Sequence, residues 1–182
     1  FYVVIKGASC GEVKSTVISV VVHQFPSFST PLAGSEECLG STHTFTSTAQ
    51  NASSYQWYKN DGEIIVGATS SSLSLTDITA ANAGVYFVRV KGVGDCTEEE
   101  VQSSSATLTI KELASIAEQS LSDSFCGPTE YRFFVETTGD VQGIELFKNG
   151  ASLGINTNSF EITTAETASY YAVVTGSCNI VT

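Results

Sequence analysis

The residues of this chain whose types could do chemistry are five cysteines, two histidines and two short runs of glutamate. The cysteines, Cys10, Cys38, Cys96, Cys126 and Cys178, are spaced 28, 58, 30 and 52 residues apart. A structural zinc site draws on closely spaced Cys and His ligands, and no Cys-x-x-Cys pair occurs here, so the cysteines do not read as a zinc site. Nucleophilic catalysis needs a base beside the nucleophile and a group to orient that base. The only histidines are His23, in a predicted linker, and His43, on a predicted half-exposed strand. Both read as ordinary surface residues, and no enzyme activity is expected. Glu36 and Glu37 precede Cys38, and Glu98, Glu99 and Glu100 follow Cys96. Calcium collects carboxylate oxygens, so these five are weak calcium candidates against the commoner reading of a solvated acidic face. No Asp-x-Asp-x-Asp-Gly loop accompanies them, and no other cofactor is indicated. Cysteines at repeated positions instead favour disulfides and an oxidising compartment.

The element that carries three of those cysteines occurs three times. Phe1 to Cys10, Val85 to Cys96 and Tyr170 to Cys178 each read as an alternating strand, a glycine turn and a cysteine. The turn glycines Gly7, Gly92 and Gly176 lie 85 and then 84 residues apart. A period of that length means tandem domains. Tyr86, Val88 and Val90 alternate with Phe87, Arg89 and Lys91, the period of a strand with one buried face. A β-rich run follows each turn, Val13 to Val22 in the first copy and Val101 to Ile110 in the second.

Composition narrows the partners. Eight basic residues face 19 acidic ones, a net charge of −11. Nucleic acid and anionic membranes both select basic surfaces, so neither is expected as a partner. Abundant Val, Ser and Thr suit an all-β protein with polar outer faces. No apolar run approaches the roughly 20 residues of a membrane span. The chain has no Met, and both of its ends fall inside the repeated hairpin, which reads as a window on a longer protein.

Three segments are expected. Residues 1–23 form the terminal hairpin of one domain, 24–111 a complete domain, and 112–182 a domain lacking its last strand. Pro26 marks the first linker. In the complete domain, strands are predicted at 28–32 and 37–39, 43–48, 55–59, 63–66, 73–75 and from 85. Asn60-Asp61-Gly62 makes a hairpin, because these residue types tolerate positive φ. In the third segment, strands are predicted at 113–125, 131–136 and 143–148, with Asn149-Gly150 as the corresponding turn. Tyr55, Tyr58 and Phe147 are candidates for stacking on a sugar ring, against the commoner reading of core aromatics. Asn51-Ala52-Ser53 has the form of a glycosylation sequon in a loop.

Trp57, followed by Asn82-x-Gly84-x-Tyr86, resembles the immunoglobulin-like sandwich, with its buried Trp on the third strand and its tyrosine corner. Phe45 and Val88 fall near that family's inter-sheet cysteines, so the core disulfide is absent. Tyr170 takes the corner position in the third segment, and Leu146 stands where Trp57 does. Trp57, Tyr86 and Tyr170 are the expected structural core. More narrowly, Cys38-Leu39-Gly40, the run Tyr55 to Asn60, and Cys96 at a hairpin tip resemble the tandem immunoglobulin-like modules of large secreted surface proteins of Bacteroidota, gliding adhesins among them.

That resemblance implies an all-β, tandem immunoglobulin-like chain outside the cell or on its surface. Its function would be that of a structural repeat, a stalk or filament spacer of an adhesin, with neighbouring repeats of the same protein as partners. The alternative is a carbohydrate- or protein-binding module accessory to a secreted enzyme. The topology also bears on the cysteines. Cys38 lies ahead of the second strand and Cys96 beyond the sixth, at opposite ends of one sandwich and on the order of 30 Å apart, too far for a disulfide. In a head-to-tail array Cys38 instead meets Cys178 across the domain junction. Cys10, Cys96 and Cys126 then find partners outside the chain. Pairing within domains, Cys38 with Cys96 and Cys126 with Cys178, is the alternative.

Overall fold

A computed structural model describes residues 1–9, 11–124, 126–164 and 166–182, with the side chains of Ile162 and Thr164 left aside. Cys10 and Phe125 therefore lie outside the described residues. The fold is all-β among those residues apart from two single turns of 3-10 helix.

The first segment is a hairpin of β1 (Val4–Gly7) and β2 (Gly11–Lys14). The predicted strand from Val13 to Val22 ends early, at Lys14, although Ser15 N–H still donates to Val3 and Ile18 N–H to Phe1. Val17, Ile18, Val20, Val21 and Val22 are exposed, so no second sheet holds them in an extended ladder.

Two sheets follow, built from β3 (Ser27–Phe28), β4 (Ser35–Cys38), β5 (His43–Thr46), β6 (Ala49–Gln50), β7 (Ala52–Lys59), β8 (Glu63–Ile64), β9 (Ser72–Leu75), β10 (Gly84–Gly92), β11 (Glu100–Gln102) and β12 (Ala106–Lys111). One layer is β3–β6 with β5–β9; the other runs β4-β12-β10-β7-β8. The chain switches layers between β3 and β4, and β4 then pairs parallel to β12, from Ser35 against Leu108 to Cys38 against Lys111. Asn60 makes the β7–β8 turn at φ 52°, the conformation its short polar side chain tolerates.

Strand periodicity sends Trp57 from β7 and Tyr86 and Val88 from β10 into the space between the layers, where they meet Phe45 and Leu73. Trp57 is fully buried and donates its Nε1–H to the Ser70 carbonyl at 2.8 Å. A buried indole needs such a partner. The Tyr86 hydroxyl donates to the Asn82 carbonyl at 2.7 Å, and its ring lies 4.8 Å from that of Phe45. That bond is the tyrosine corner. Phe45 and Val88 fill the middle of the sandwich with apolar contact where the antibody type has sulfur.

The last segment repeats the plan with β13 (Ser115–Gln119), β14 (Thr129–Thr138), β15 (Val141–Lys148), β16 (Ala151–Ser152), β17 (Ser159–Thr164), β18 (Tyr170–Gly176) and β19 (Ile180–Val181). The layers are β13-β14-β17 and β16-β15-β18-β19. The strand expected over 113–125 stops at Gln119, after a register shift between Ile116 and Glu118. Ser120 then bonds Phe134 through its hydroxyl as well as its backbone. The final strand, expected to be missing, begins at Ile180 and pairs with Val174 and Thr175. Leu146 is buried at Trp57's position. Tyr170 is only half-buried and packs against the rim of this second core. It stands opposite Lys148 as Tyr86 stands opposite Lys59.

Candidate functional site

The residues that converge most tightly outside the two cores lie where the second sandwich meets the third. β12 ends at Lys111 and β13 begins at Ser115, so only residues 112–114 connect them. A connection this short has little freedom, and the third module grips it. The Asn179 side chain, next to the β18–β19 turn, accepts from Ala114 N–H and donates to the Ala114 carbonyl, both at 2.8 Å. Asp140 N–H donates to the Glu112 carbonyl at 3.2 Å. Gly139, at φ 83°, sits where any Cβ would run into the Leu113 carbonyl. Gly176 lies against the Ala114 methyl, where a side chain would again collide. Ala114 is almost fully buried as a result.

A disulfide between Cys38 and Cys178 closes the same junction, with Cα atoms 5.8 Å apart and 140 residues between them in sequence. Local structure explains the meeting. The parallel pairing of β4 with β12 carries Cys38 to the same level as Lys111, the last residue before the connection. The β18–β19 turn places Cys178 at the opposite face of that connection, beside Asn179. Charges line up beside the bridge. Lys111 Nζ is 3.0 Å from a Glu36 carboxylate oxygen, and that contact, with Asp140 farther off, holds its pKa above the usual lysine range. Hydrogen bonding from Ser177 above all, with help from Gln142 and Lys111, keeps Asp140 below the usual carboxylate range despite partial burial. Just ahead of the bridge, Glu37 accepts from Ser35 at 2.8 Å and meets His43 Nδ1 at 2.8 Å. The Ser35 bond and then His43 hold its carboxyl low.

The glutamates named as calcium candidates do not gather. Glu36 is tied to Lys111 and Glu37 to Ser35, Ser41 and His43, while Glu98 and Glu99 are exposed and Glu100 lies 3.7 Å from Arg89. Among the described residues no three or more His, Cys, Asp or Glu side chains are grouped to hold a metal ion. His23 lies against Gly94, and its carbonyl is 3.8 Å from the Cys96 thiol. His43 packs edge-on against Phe45, 4.5 Å between ring centroids. Among the described residues, neither histidine ring is hydrogen-bonded to a hydroxyl or a thiol.

The candidate sugar-stacking aromatics fall on two faces. Tyr55 packs against the first core. Tyr58 stacks on Phe87 at 5.2 Å with the Arg89 guanidinium 4.9 Å from its ring, and Phe147 stacks on Tyr171 at 5.0 Å. These are cross-strand neighbours in register, Tyr58 opposite Phe87 and Phe147 opposite Tyr171. Alternation along a single strand does not report this pairing, since each partner lies on a different strand. Counting register outward from Trp57–Val88 and Leu146–Ala172 would have found both pairs.

Residues 26–111 match the family described as an Ig-like domain, CHU_C associated. Among solved structures, immunoglobulin domains 1–5 of Sidekick-1 superpose with a TM-score of 0.66 at 15% identity, over 99% of this chain and 44% of that one. An I-band fragment of titin gives a TM-score of 0.63 at 15% identity, over 88% of this chain and 64% of that one. The N-terminal four Ig domains of Dscam1 give 0.55 at 17%, over 93% of this chain and 48% of that one. The chain thus spans less than two thirds of each of these. At such identities the likeness is one of fold. No curated protein matches the chain. No helix among the described residues is long and apolar enough to cross a membrane.

Proposed function

We propose that the chain is a structural repeat segment, a spacer that holds another part of a large secreted or cell-surface adhesin-type protein at a distance; the match of residues 26–111 to the CHU_C-associated Ig-like family supports this reading. The domain limits that go with this reading are 1–23, 24–111 and 112–182. The observation that carries it is the junction: a three-residue connection clamped by Asn179 and crossed by the Cys38–Cys178 disulfide. Stacked modules give reach while each contacts only its neighbours. A covalent bridge across the contact fixes the angle between modules and carries tension past the connection.

The partners on this reading are neighbouring repeats of the same protein. The disulfide suits an oxidising location outside the cell. A sugar-binding role gains less support, because the Tyr58–Phe87 stack lies under Arg89 rather than open to a ring. The test is small-angle scattering of the chain with and without reductant. A spacer gives one extended, narrow distance distribution when oxidised, and a broader one once Cys38 and Cys178 are reduced. Identical curves would overturn the role given to the bridge. Antibody raised to the chain should label intact, unpermeabilised cells of the source organism; labelling only after permeabilisation would overturn the surface location.

A further inference from the structure

The far pole of the third module repeats the features that dock the second module to the third, and there they are uncovered. Cys126 stands seven residues ahead of the buried Phe133 of β14, as Cys38 stands seven ahead of the buried Phe45 of β5. Each therefore leaves the same end of its own second strand. Cys38 is bonded to the β18–β19 tip of the next module; Cys126 is exposed, with its thiol unbonded. Beside Cys126 opens a cavity of about 600 Å³, lined by Leu121, Asp123, Gly127, Tyr131, Glu166 and Tyr170 among others. Leu121 on its rim is 83% exposed, a large apolar side chain with nothing over it.

We propose that this pole is a docking surface for the hairpin tip of a further Ig-like module following in the same polypeptide, and that Cys126 forms a disulfide with the cysteine at that tip. The inference rests on the spacer reading above and extends it from one junction to a repeating ladder. Continuity with the described junction selects the occupant. Among the described residues, the tip seated on such a pole is that of the succeeding module, and it arrives with a cysteine in place. The opposite pole agrees. Cys96 is the tip cysteine of the second module, and its thiol faces the carbonyl of His23 in the segment leading in from the first module. It is placed to receive a cysteine from the preceding module as Cys178 receives Cys38. Formation of each bridge oxidises two thiols to one disulfide with loss of two protons and two electrons, taken up by the disulfide-forming oxidants of an extracytoplasmic compartment or by a disulfide exchange partner.

The repeat sets the position of the missing partner. Cys38 and Cys178 are 140 residues apart, so Cys126 should be joined to a cysteine about 140 residues further along, and Cys96 to one about 140 residues earlier. The experiment is non-reducing peptide mapping of the native protein from its source, with thiols alkylated before digestion. The expected result is a Cys126 peptide linked to a hairpin-tip cysteine at about that distance, alongside a Cys38–Cys178 peptide. Recovery of Cys126 in alkylated form, or linked to Cys96 or to a different polypeptide, while Cys38–Cys178 is intact, overturns the ladder and leaves the spacer junction standing. Absence of the Cys38–Cys178 peptide overturns both.

Discussion

The second and third modules share a strand plan and differ in what fills and fastens it. In the second, Trp57, Phe45 and Tyr86 make a continuous aromatic centre, with ring centroids 6.1 Å and 4.8 Å apart along Trp57–Phe45–Tyr86. In the third, the smaller Leu146 takes the place of Trp57 among Val135, Ala172 and Val174, the aromatic contacts shift to Phe133–Phe160 and Phe160–Tyr170 at 5.4 Å and 6.3 Å, and the corner tyrosine is half-buried. Fastening runs the other way. The third module's tip is bonded through Cys178, while the second module's tip ends in the unbonded Cys96. A sandwich of this length buries only about 60% or a little more of its unfolded surface, so such differences are felt. The comparison teaches that one strand plan accommodates different central residues, and that the two modules differ in which hairpin tip is bonded.

The largest effect should come from Trp57. Trp57→Ala empties the centre of the second core and should cost about 3–5 kcal/mol in chemical denaturation of that module. Leu146→Ala should cost the third about 2–4 kcal/mol. A larger loss for Leu146→Ala than for Trp57→Ala would erase the contrast between the cores. Next comes the clamp. Asn179→Ala leaves both polar groups of the buried Ala114 without their partner and should destabilise the third module by about 1–3 kcal/mol, with the second nearly untouched. A loss confined to the second module would mean the clamp is misassigned.

Acid should separate the modules further. Glu37 is held below its ordinary value of 4.5 by Ser35 and then His43. A carboxylate with a lowered folded pKa contributes stability above its unfolded value and loses it as pH falls through the folded one. The second module's melting temperature should therefore fall as pH drops below the ordinary value of 4.5, and Glu37→Gln should flatten that fall. An unchanged slope in the variant would remove Glu37 from the account. The smallest effect belongs to Lys111. Its pair with Glu36 is partly exposed, so Lys111→Gln should leave the melting temperatures of both modules nearly unchanged. A marked fall in either would show that the charges beside the bridge, and not the bridge and clamp alone, hold the junction.

Much of this was legible in the sequence because it rests on short-range rules. Period-two alternation located the strands around Trp57 and Tyr86, and Asn60 and Asn149 marked turns through their tolerance of positive φ, observed at 52° and 48°. Strand ends were less legible. Whether Val13 to Val22 stays extended depends on a facing sheet, which alternation in one strand does not report. The Asn179 clamp left no local signal, since its partners on Ala114 are 65 residues away. The close approaches at Gly139 and Gly176 depend likewise on how two modules sit together, which no single repeat encodes.

The central claim is that the Cys38–Cys178 bridge fastens one module to the next, and single-molecule pulling tests it most directly. With handles at Gln24 and Thr182, tension in the oxidised chain passes through the disulfide, and the 140-residue stretch between the two cysteines is shielded. Only about 14 residues before Cys38 and about four after Cys178 can be drawn out, roughly 60 Å at about 3.4 Å per residue. Reduction should add roughly 480 Å of contour length at the same rise. Release of that greater length from the oxidised chain would contradict the account.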